Sequence, residues 1–265
     1  MTTTLTEKQY DHIRVEKNVE KQTATIVLDR PEKMNFISML GRDQLVEIFE
    51  KLNLDNEVRV IVIKGEGDVC FSAGGSIPEF METHQEKLSH LAENVAAPER
   101  SPKPVIAQLQ GYTFGVGLEL AMACDFRIAA EDTLLALPEM NLGMIPGSGG
   151  TQRIAKIAGL TRAKDMIMRA RKIPATEAYQ WGLLTKVVSK DELEAEVDSL
   201  VAELVQFSPL AQRVAKEVLN ESENSSISTG IKLEGKAYGL LRTTEDFKEG
   251  VDAFVEKRKP RFIGQ

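Results

Sequence analysis

Short apolar segments alternate with amphipathic ones along the first half of the chain. The apolar segments are rich in β-branched residues, and this composition predicts strands. The predicted strands are Thr23 to Asp29, Arg59 to Lys64, Pro104 to Leu109, Asp125 to Ala129 and Leu134 to Leu137. Between the first two, apolar residues recur at helical spacing and predict a helix from Leu40 to Leu54. Strand and helix in alternation favour a mainly parallel sheet covered by helices.

The last quarter of the chain has helical patterns only. Ser189 and Glu192 have the spacing of a capping box ahead of an amphipathic run to Phe207. Ser208 and Pro209 suit the N-cap and first position of the next helix. Two further helices are predicted at 225–242 and 244–259. The pattern therefore predicts a core of residues 1–190 that carries a helical region of residues 191–265.

Composition narrows the class of protein. The 265 residues suit one sizeable domain, and the net charge of −7 argues against a nucleic-acid partner. No apolar run is long enough to cross a membrane, and the polar N-terminus resembles no targeting segment, so we expect a cytoplasmic protein without a membrane partner. Cys70 and Cys124 lie in apolar runs and are expected to be buried thiols. The three histidines lack metal spacing, so no metal site is predicted.

Three glycine-rich segments interrupt the pattern. Phe71 to Ser76 follows a predicted strand, and its small residues leave backbone N–H groups accessible, although a simple turn would look the same. Gly111 to Asp125 runs from a glycine-rich turn into a helix. Its Gly-x-Gly lacks the third glycine of a dinucleotide fingerprint. Leu137 to Thr151 ends in a glycine-rich turn that leads into another helix. The polar stretch 76–101 is predicted to be a mobile loop or loose helix over a site.

Two of these segments each carry one carboxylate among apolar residues. Glu119 lies in the first turn of the predicted helix, and Glu139 follows Pro138. A single such residue fits a helix-start charge, a salt bridge or a cap equally well. Two of them in similar settings favour a functional pair, because carboxyl groups held in apolar surroundings are suited to proton transfer.

With these segments identified, the chain resembles the enoyl-CoA hydratase/isomerase (crotonase) superfamily, and most of all an enoyl-CoA hydratase. The resemblance runs from Ile26–Asn35 to Phe254–Phe262 and is most specific between Gly111 and Arg153. It implies an α/β spiral of ββα units with two roughly perpendicular sheets. It also implies a C-terminal helical region that assembles a homotrimer or a dimer of trimers.

The resemblance assigns roles to particular residues. It makes Glu119 and Glu139 the catalytic pair, and the backbone N–H groups of Gly75 and Val116 an oxyanion hole. Ser76 replaces the family's aspartate. Val116 replaces the middle glycine of a triplet, where valine disfavours positive φ and would narrow the pocket. The sequence leaves open which glutamate is the base.

Binding of coenzyme A is expected from the same resemblance. The implied contacts are Lys33, Ala73, Gly74, Gly75 and Ile77. Lys33 fits an ordinary solvated loop lysine equally well. The basic stretch Lys257 to Lys259 could reach the ligand, although cations that favour a helix C-terminus are the preferred interpretation. No cofactor is expected, because coenzyme A is part of the substrate.

The implied reaction adds water across the 2,3 double bond of an enoyl-CoA thioester and is reversible. The alternatives are an enoyl-CoA isomerase, another crotonase-type acyl-CoA lyase or hydrolase, and a non-catalytic acyl-CoA-binding scaffold. An isomerase needs only the glutamate that matches Glu139, so the presence of both favours hydration. Acyl chain length stays open, as does the pathway: fatty-acid β-oxidation, branched-chain amino-acid breakdown or aromatic-acid breakdown.

Overall fold

The computed structural model describes residues 2–4, 10–222 and 224–265, with only the backbone for residues 2–4. Its strands are β1 (Thr2–Thr4), β2 (Ile13–Asn18), β3 (Thr23–Leu28), β4 (Val60–Gly65), β5 (Cys70–Ser72), β6 (Val105–Leu109), β7 (Tyr112–Phe114), β8 (Phe126–Ala130), β9 (Leu134–Ala136), β10 (Ile173–Pro174) and β11 (Lys186–Val188). The five strands predicted from sequence are all present, with ends that differ by a residue or so.

The helices surround these strands and dominate the C-terminal part. They are α1 (Met39–Leu54), α2 (Ile77–Glu82), α3 (Gln85–Ser89), α4 (Leu91–Val95), α5 (Ala97–Arg100), α6 (Val116–Met122), α7 (Gly150–Ala158), α8 (Leu160–Met168), α9 (Ala175–Gln180), α10 (Leu193–Leu204), α11 (Pro209–Ser222), α12 (Ile227–Leu241) and α13 (Glu245–Glu256). Short 3-10 helices lie at Pro31–Lys33, Pro138–Leu142 and Lys190–Glu192. Within the described residues, no helix is both long and apolar enough to span a bilayer.

A seven-stranded sheet in the order β1-β2-β3-β4-β6-β8-β11 forms the centre of the fold. It is antiparallel from β1 to β3 and parallel from β3 onwards. Strand β4 is buried on both faces, as a covered parallel strand should be. Ile61 and Ile63 share one core cluster with Leu45 of α1, whereas Val60 and Val62 pack in a second cluster with α10. Successive side chains of β4 point to opposite faces of the sheet, so this strand contributes to both core clusters.

A smaller sheet in the order β10-β9-β7-β5 lies beside the first. Three consecutive units build it: β4 is followed by β5, β6 by β7, and β8 by β9, each with helical structure after the short strand. In every unit the long strand joins the first sheet and the short strand joins the second. This is the repeating ββα, two-sheet α/β architecture that the resemblance implies. Of the three short strands, only β9 was predicted from the sequence; β5 and β7 were missed, because three residues are too few to show a period.

The C-terminal helices follow the predicted order with shifted ends. Ser208, Ser226 and Thr244 each cap a helix by accepting a backbone N–H from three residues on. The capping box at Ser189 is wrong, because its hydroxyl bonds the Glu192 carboxylate at 2.7 Å and not a backbone N–H. A 3-10 turn stands there, and α10 begins only after it.

The stretch 76–101 consists of the four short helices α2 to α5, so the helical alternative is confirmed for it. Both cysteines are free and buried, as expected. The histidines at 12, 84 and 90 are exposed.

Candidate active site

The three glycine-rich segments leave the same edge of the smaller sheet. Strands β5, β7 and β9 lie side by side and parallel, so their carboxyl ends meet. Gly74 and Gly75 follow β5, Gly115 and Val116 follow β7, and Glu139 follows β9. A side chain starting from Gly74 would lie 3.9 Å from the Gly115 Cα, so the first two segments touch. The topology therefore gathers into one place residues that lie from about 20 to about 65 positions apart in the sequence.

Two backbone N–H groups at this edge are available as donors. Neither the Gly75 N–H nor the Val116 N–H bonds to a described residue. Gly75 is held by the neighbouring Ile37, whose N–H donates to the Gly74 carbonyl at 2.9 Å. Val116 is the first residue of α6, and N–H groups in a first turn have no earlier helical partner. Two such donors could bind one carbonyl oxygen.

Gly115 makes the turn into α6. Its φ is 51°, a left-handed conformation that side chains disfavour, and its N–H bonds the Ala136 carbonyl at 3.0 Å. The expected conflict between valine and positive φ at position 116 is therefore absent, because the positive φ falls one residue earlier. Val116 is 3% exposed and starts the helix. A Cβ on Gly115 would come within 3.2 Å of Glu139 Oε1, so this glycine also makes room for the carboxyl group.

Glu119 is a buried carboxyl group in the first turn of α6, with 2% of its surface exposed. Its Oε1 accepts the N–H of Ser148 at 2.7 Å and the N–H of Gly150 at 2.9 Å. Two N–H donors on one oxygen suit a carboxylate, because a negatively charged acceptor forms the stronger hydrogen bond. The glycine-rich turn before α7 thus fixes the orientation of this side chain.

Glu139 lies in the 3-10 helix Pro138–Leu142, and its surroundings differ. Its Oε2 is buried and has no hydrogen-bond partner among the described residues. Loss of solvent on burial raises the pKa of Glu139 to about 7, its own backbone N–H opposes the shift, and the charge of Glu119 adds to it. Near neutral pH this carboxyl group therefore carries its proton about half of the time. The interaction with Glu119 also places the two carboxyl groups in one site.

Arg42 is a further charged residue at the site that the sequence interpretation missed. Its side chain is 2% exposed, and its Nη1 donates to the Ser148 hydroxyl at 2.9 Å. The available signal was its position three residues before Leu45, on the face of α1 that is otherwise apolar. A charged residue at a core position is uncommon and marks a place to examine.

Several exposed apolar residues lie close in sequence to the residues of the site. Ile77, the first residue of α2, is half exposed. Ala73 is partly buried, and its N–H donates to the Met34 carbonyl at 2.9 Å. Lys33 is exposed at the end of the preceding 3-10 helix. Further exposed apolar residues nearby in sequence are Met81, Leu142, Met144 and Ile145.

The basic stretch near the C-terminus is accounted for locally. Lys257 is the C-cap of α13. The Arg258 guanidinium forms hydrogen bonds to both carboxylate oxygens of Glu249, at 2.6 and 2.9 Å. These contacts agree with cations that favour a helix C-terminus.

The fold and the site together define an enzyme class, because two buried carboxyl groups with different hydrogen-bond partners lie beside two backbone N–H groups suited to binding a carbonyl oxygen. Such a site can move protons to and from carbons next to a polarised carbonyl. Within the described residues, no group of acidic, histidine or cysteine side chains could hold a metal ion.

Comparison with known proteins gives a consistent result. The family model described as enoyl-CoA hydratase/isomerase matches residues 18–265. The crotonyl-CoA hydratase of Syntrophomonas wolfei is 39% identical over 264 residues, which cover 97% of this chain and 99% of that protein. The short-chain-enoyl-CoA hydratase of Clostridium acetobutylicum is 34% identical, covering 91% and 94%. The crystal structure of an enoyl-CoA hydratase from Bacillus anthracis has a TM-score of 0.90 at 35% identity, covering 96% and 100%.

The chain belongs to the enoyl-CoA hydratase/isomerase family. The predicted fold class is confirmed by the solved relatives, and the predicted activity, an enoyl-CoA hydratase, is confirmed at the level of the class of enzyme.

Proposed function

We propose that Glu119 and Glu139 together add water across the 2,3 double bond of a 2-enoyl-CoA thioester to give a 3-hydroxyacyl-CoA. The observation that carries this proposal is the contrast between the two carboxyl groups of one site. Glu119 accepts two backbone N–H groups on one oxygen, whereas burial raises the pKa of Glu139 to about 7. Hydration needs one group of each kind, a base and an acid.

The thioester oxygen is placed between the N–H groups of Gly75 and Val116. Attack on the 3-carbon moves negative charge to that oxygen, and two donors stabilise the enolate that forms. One such donor contributes roughly 3 kcal/mol in measured oxyanion holes. Both donors are backbone groups, so neither the serine at 76 nor the valine at 116 removes one.

Glu119 is assigned as the base and Glu139 as the acid. The oxygen of water bonds to the 3-carbon while Glu119 takes a proton from that water. The electron pair of the double bond becomes the enolate, and Glu139 delivers its proton to the 2-carbon. The substrate gains one hydrogen and one hydroxyl, and proton exchange with solvent resets both glutamates. These steps use only water and the two carboxyl groups, so we propose that no cofactor or metal takes part.

A short acyl group is the proposed substrate. The crotonyl-CoA and short-chain-enoyl-CoA hydratases among the relatives are named for such substrates. Coenzyme A is placed along Ala73, Gly74 and Ile77, with the exposed Lys33 near its phosphates. The apolar residues at the approach suit the pantetheine and acyl portions, which are largely uncharged.

A homotrimer, or a dimer of trimers, is the proposed assembly. The C-terminal helices leave large apolar side chains in solvent, which is unfavourable for a monomer. On α12 and α13 these are Ile227 (83% exposed), Tyr238 (72%), Phe254 (85%) and Val255 (73%). Sedimentation equilibrium gives the mass of the assembly, and a monomer at micromolar concentration would refute this part of the proposal. A cytoplasmic location and a role in β-oxidation remain predictions from the sequence.

The central test is hydration of crotonyl-CoA, followed by the loss of its enoyl absorbance. Mass spectrometry should find one water added, and a reaction in D2O should place one deuterium on the 2-carbon. Glu119→Gln and Glu139→Gln should each lower turnover, and the exposed Glu131→Gln is the matched control. If neither site variant is slower than the control, the proposed roles are wrong. Isomerisation of a 3-enoyl-CoA that survives Glu119→Gln would identify an isomerase instead.

A further inference from the structure

The guanidinium of Arg42 is buried without a counter-ion in contact. Its side chain is 2% exposed, and no carboxylate among the described residues lies within ion-pair distance of it. Its Nε is buried and has no hydrogen-bond partner in the part of the chain that the structure describes. The Nη1 bond to Ser148 and the Phe80 ring, 5.5 Å from the guanidinium carbon, are its polar contacts. A charge buried in this way costs stability, so a purely structural role is a poor explanation.

The surroundings of this guanidinium are those of the active site. The Ser148 that accepts its hydrogen bond donates its own N–H to Glu119 Oε1 at 2.7 Å. A Cβ built on Gly75 would lie 3.1 Å from Nη2, so the charge lies against the residue proposed to bind the thioester oxygen. The Arg42 side chain thus contacts Ser148, which holds Glu119, and also lies beside Gly75 of the proposed oxyanion hole.

The charged groups around Arg42 come from several elements. Glu119 on α6 contributes most of the favourable interaction with its charge, followed by Glu79 on α2 and Asp43 on α1. Glu79 is already occupied, because its Oε2 accepts the Met39 N–H at the start of α1 at 2.7 Å. Asp43 forms its own contacts with Lys87 and Asn94.

We propose that Arg42 is a positioning residue that makes the two glutamates unequal: it orders the Ser148 turn that holds Glu119 and supplies the positive charge that favours Glu119 as the carboxylate. The same charge lies beside Gly75, where the enolate oxygen becomes negative during the reaction. Arg42 does not touch the reacting atoms in this proposal. The inference rests on the proposed hydration, but its main effect is on the titration of the site and is measurable separately.

The decisive variant is Arg42→Met, which keeps the length and apolar stem of the side chain and removes its charge. Without that charge, the carboxyl pair holds its first proton to higher pH. We expect the acidic limb of the kcat profile with crotonyl-CoA to move upward by about one pH unit, and kcat to fall about 10²-fold with little change in KM. Arg42→Lys should restore part of both effects. Ser148→Ala, which removes only the hydroxyl acceptor, should lower kcat less than Arg42→Met.

Stability separates this role from a structural one. Removing a buried charge that lacks a counter-ion should leave the Tm of Arg42→Met equal to or above that of the wild type. The matched control is Arg127, which is also buried (8% exposed) but donates to the main-chain carbonyls of Leu183, Ala121 and Cys124. Arg127→Met should lower Tm and leave the pH profile unchanged.

Carbon-13 NMR of glutamate δ-carboxyl groups gives a readout that needs no activity. The two site signals are assigned by their loss in Glu119→Gln and Glu139→Gln. In Arg42→Met the lower of the two transitions should move to higher pH, even if crotonyl-CoA were not hydrated. An unmoved transition overturns the inference while leaving the hydratase proposal intact. A loss of activity confined to enoyl-CoA substrates that carry a carboxylate also overturns it, because Arg42 would then bind the substrate.

Discussion

The two glutamates of the candidate active site have opposite kinds of surroundings. Glu119 stands on a helix, 2% exposed, with two backbone N–H groups and a buried arginine nearby. Glu139 stands on a 3-10 turn, and its buried oxygen has no partner among the described residues. The first setting stabilises a carboxylate and the second a neutral acid. The comparison teaches that the surroundings of a glutamate, rather than its residue type, suit it to the proposed role of base or of acid.

The largest expected effect comes from removing Glu119, the proposed base. Glu119→Gln keeps the size of the side chain but cannot take a proton from water. We expect kcat for crotonyl-CoA to fall about 10³- to 10⁴-fold, at the upper end of general acid–base contributions. Steady-state rates of this variant and of Glu131→Gln measure the effect. A loss below tenfold would break the comparison, since Glu119 would then not be the base.

The acid role proposed for Glu139 should be visible in the pH dependence of kcat. The pKa of Glu139 is raised to about 7, so the acid is protonated below that pH and ionised above it. The kcat of the wild type should therefore fall about tenfold per pH unit above neutrality. Glu139→Gln should be about 10²-fold slower near neutral pH, and its remaining rate should lack this fall. If kcat of the wild type rises instead of falling above neutral pH, Glu139 is the base and Glu119 is the acid.

A smaller loss is expected when the space for Glu139 is reduced. Gly115→Ala adds a Cβ that would lie 3.2 Å from Glu139 Oε1, and it forces alanine into a positive φ. Displacement of the carboxyl group should lower kcat roughly 10- to 10²-fold. Gly159→Ala is the matched control, because Gly159 also has positive φ but open space around its Cβ. Equal losses in the two variants would attribute the effect to backbone strain alone.

The smallest expected effect is on the stability of the protein, and the direction of its change with pH tests the surroundings of Glu139. The pKa of Glu139 rises on folding, so between the unfolded value of 4.5 and about 7 the native state holds a proton that the unfolded chain has lost. Stability must therefore decrease as pH rises through this window. Since Gln carries no charge, Glu139→Gln should be more stable than the wild type at pH 8, by on the order of 1 kcal/mol after allowance for solvent screening. The two should be equal near pH 4.

Urea unfolding of both proteins at the two pH values measures this difference. An advantage for Glu139→Gln that is the same at both pH values would mean that packing, and not ionisation, is responsible.

Local pattern was enough for much of the fold. Helix α1 was visible because its apolar residues recur at helical spacing, and strand β4 was visible because it is a run of β-branched residues. The short strand β9 was predicted as well, but β5 and β7 were not, although the site is built on the ends of all three. The hydroxyl of Ser189 was placed on the wrong partner, since a capping pattern does not say whether a helix or a 3-10 turn follows.

The residues of the candidate site were also only partly predictable from the sequence. Glu119 and Glu139 could be singled out because a lone carboxylate in an apolar run is unusual in any fold. Arg42 did not carry that signal, because its neighbours in sequence are Gly41 and two polar residues, and only its helical spacing from Leu45 places it on the buried face of α1. Its relation to Ser148 spans 106 residues, and no local spacing reports such a contact.

By itself, the sequence determined the longer strands and helices, the family and the two candidate carboxyl groups, because each shows in short-range periodicity or in an uncommon residue at an uncommon place. Only the tertiary structure decided how differently the two glutamates are held. That distinction depends on burial and on N–H donors and charges that come from Ser148, Gly150 and Arg42, which are distant in the chain and meet at the site only when the sheets are formed.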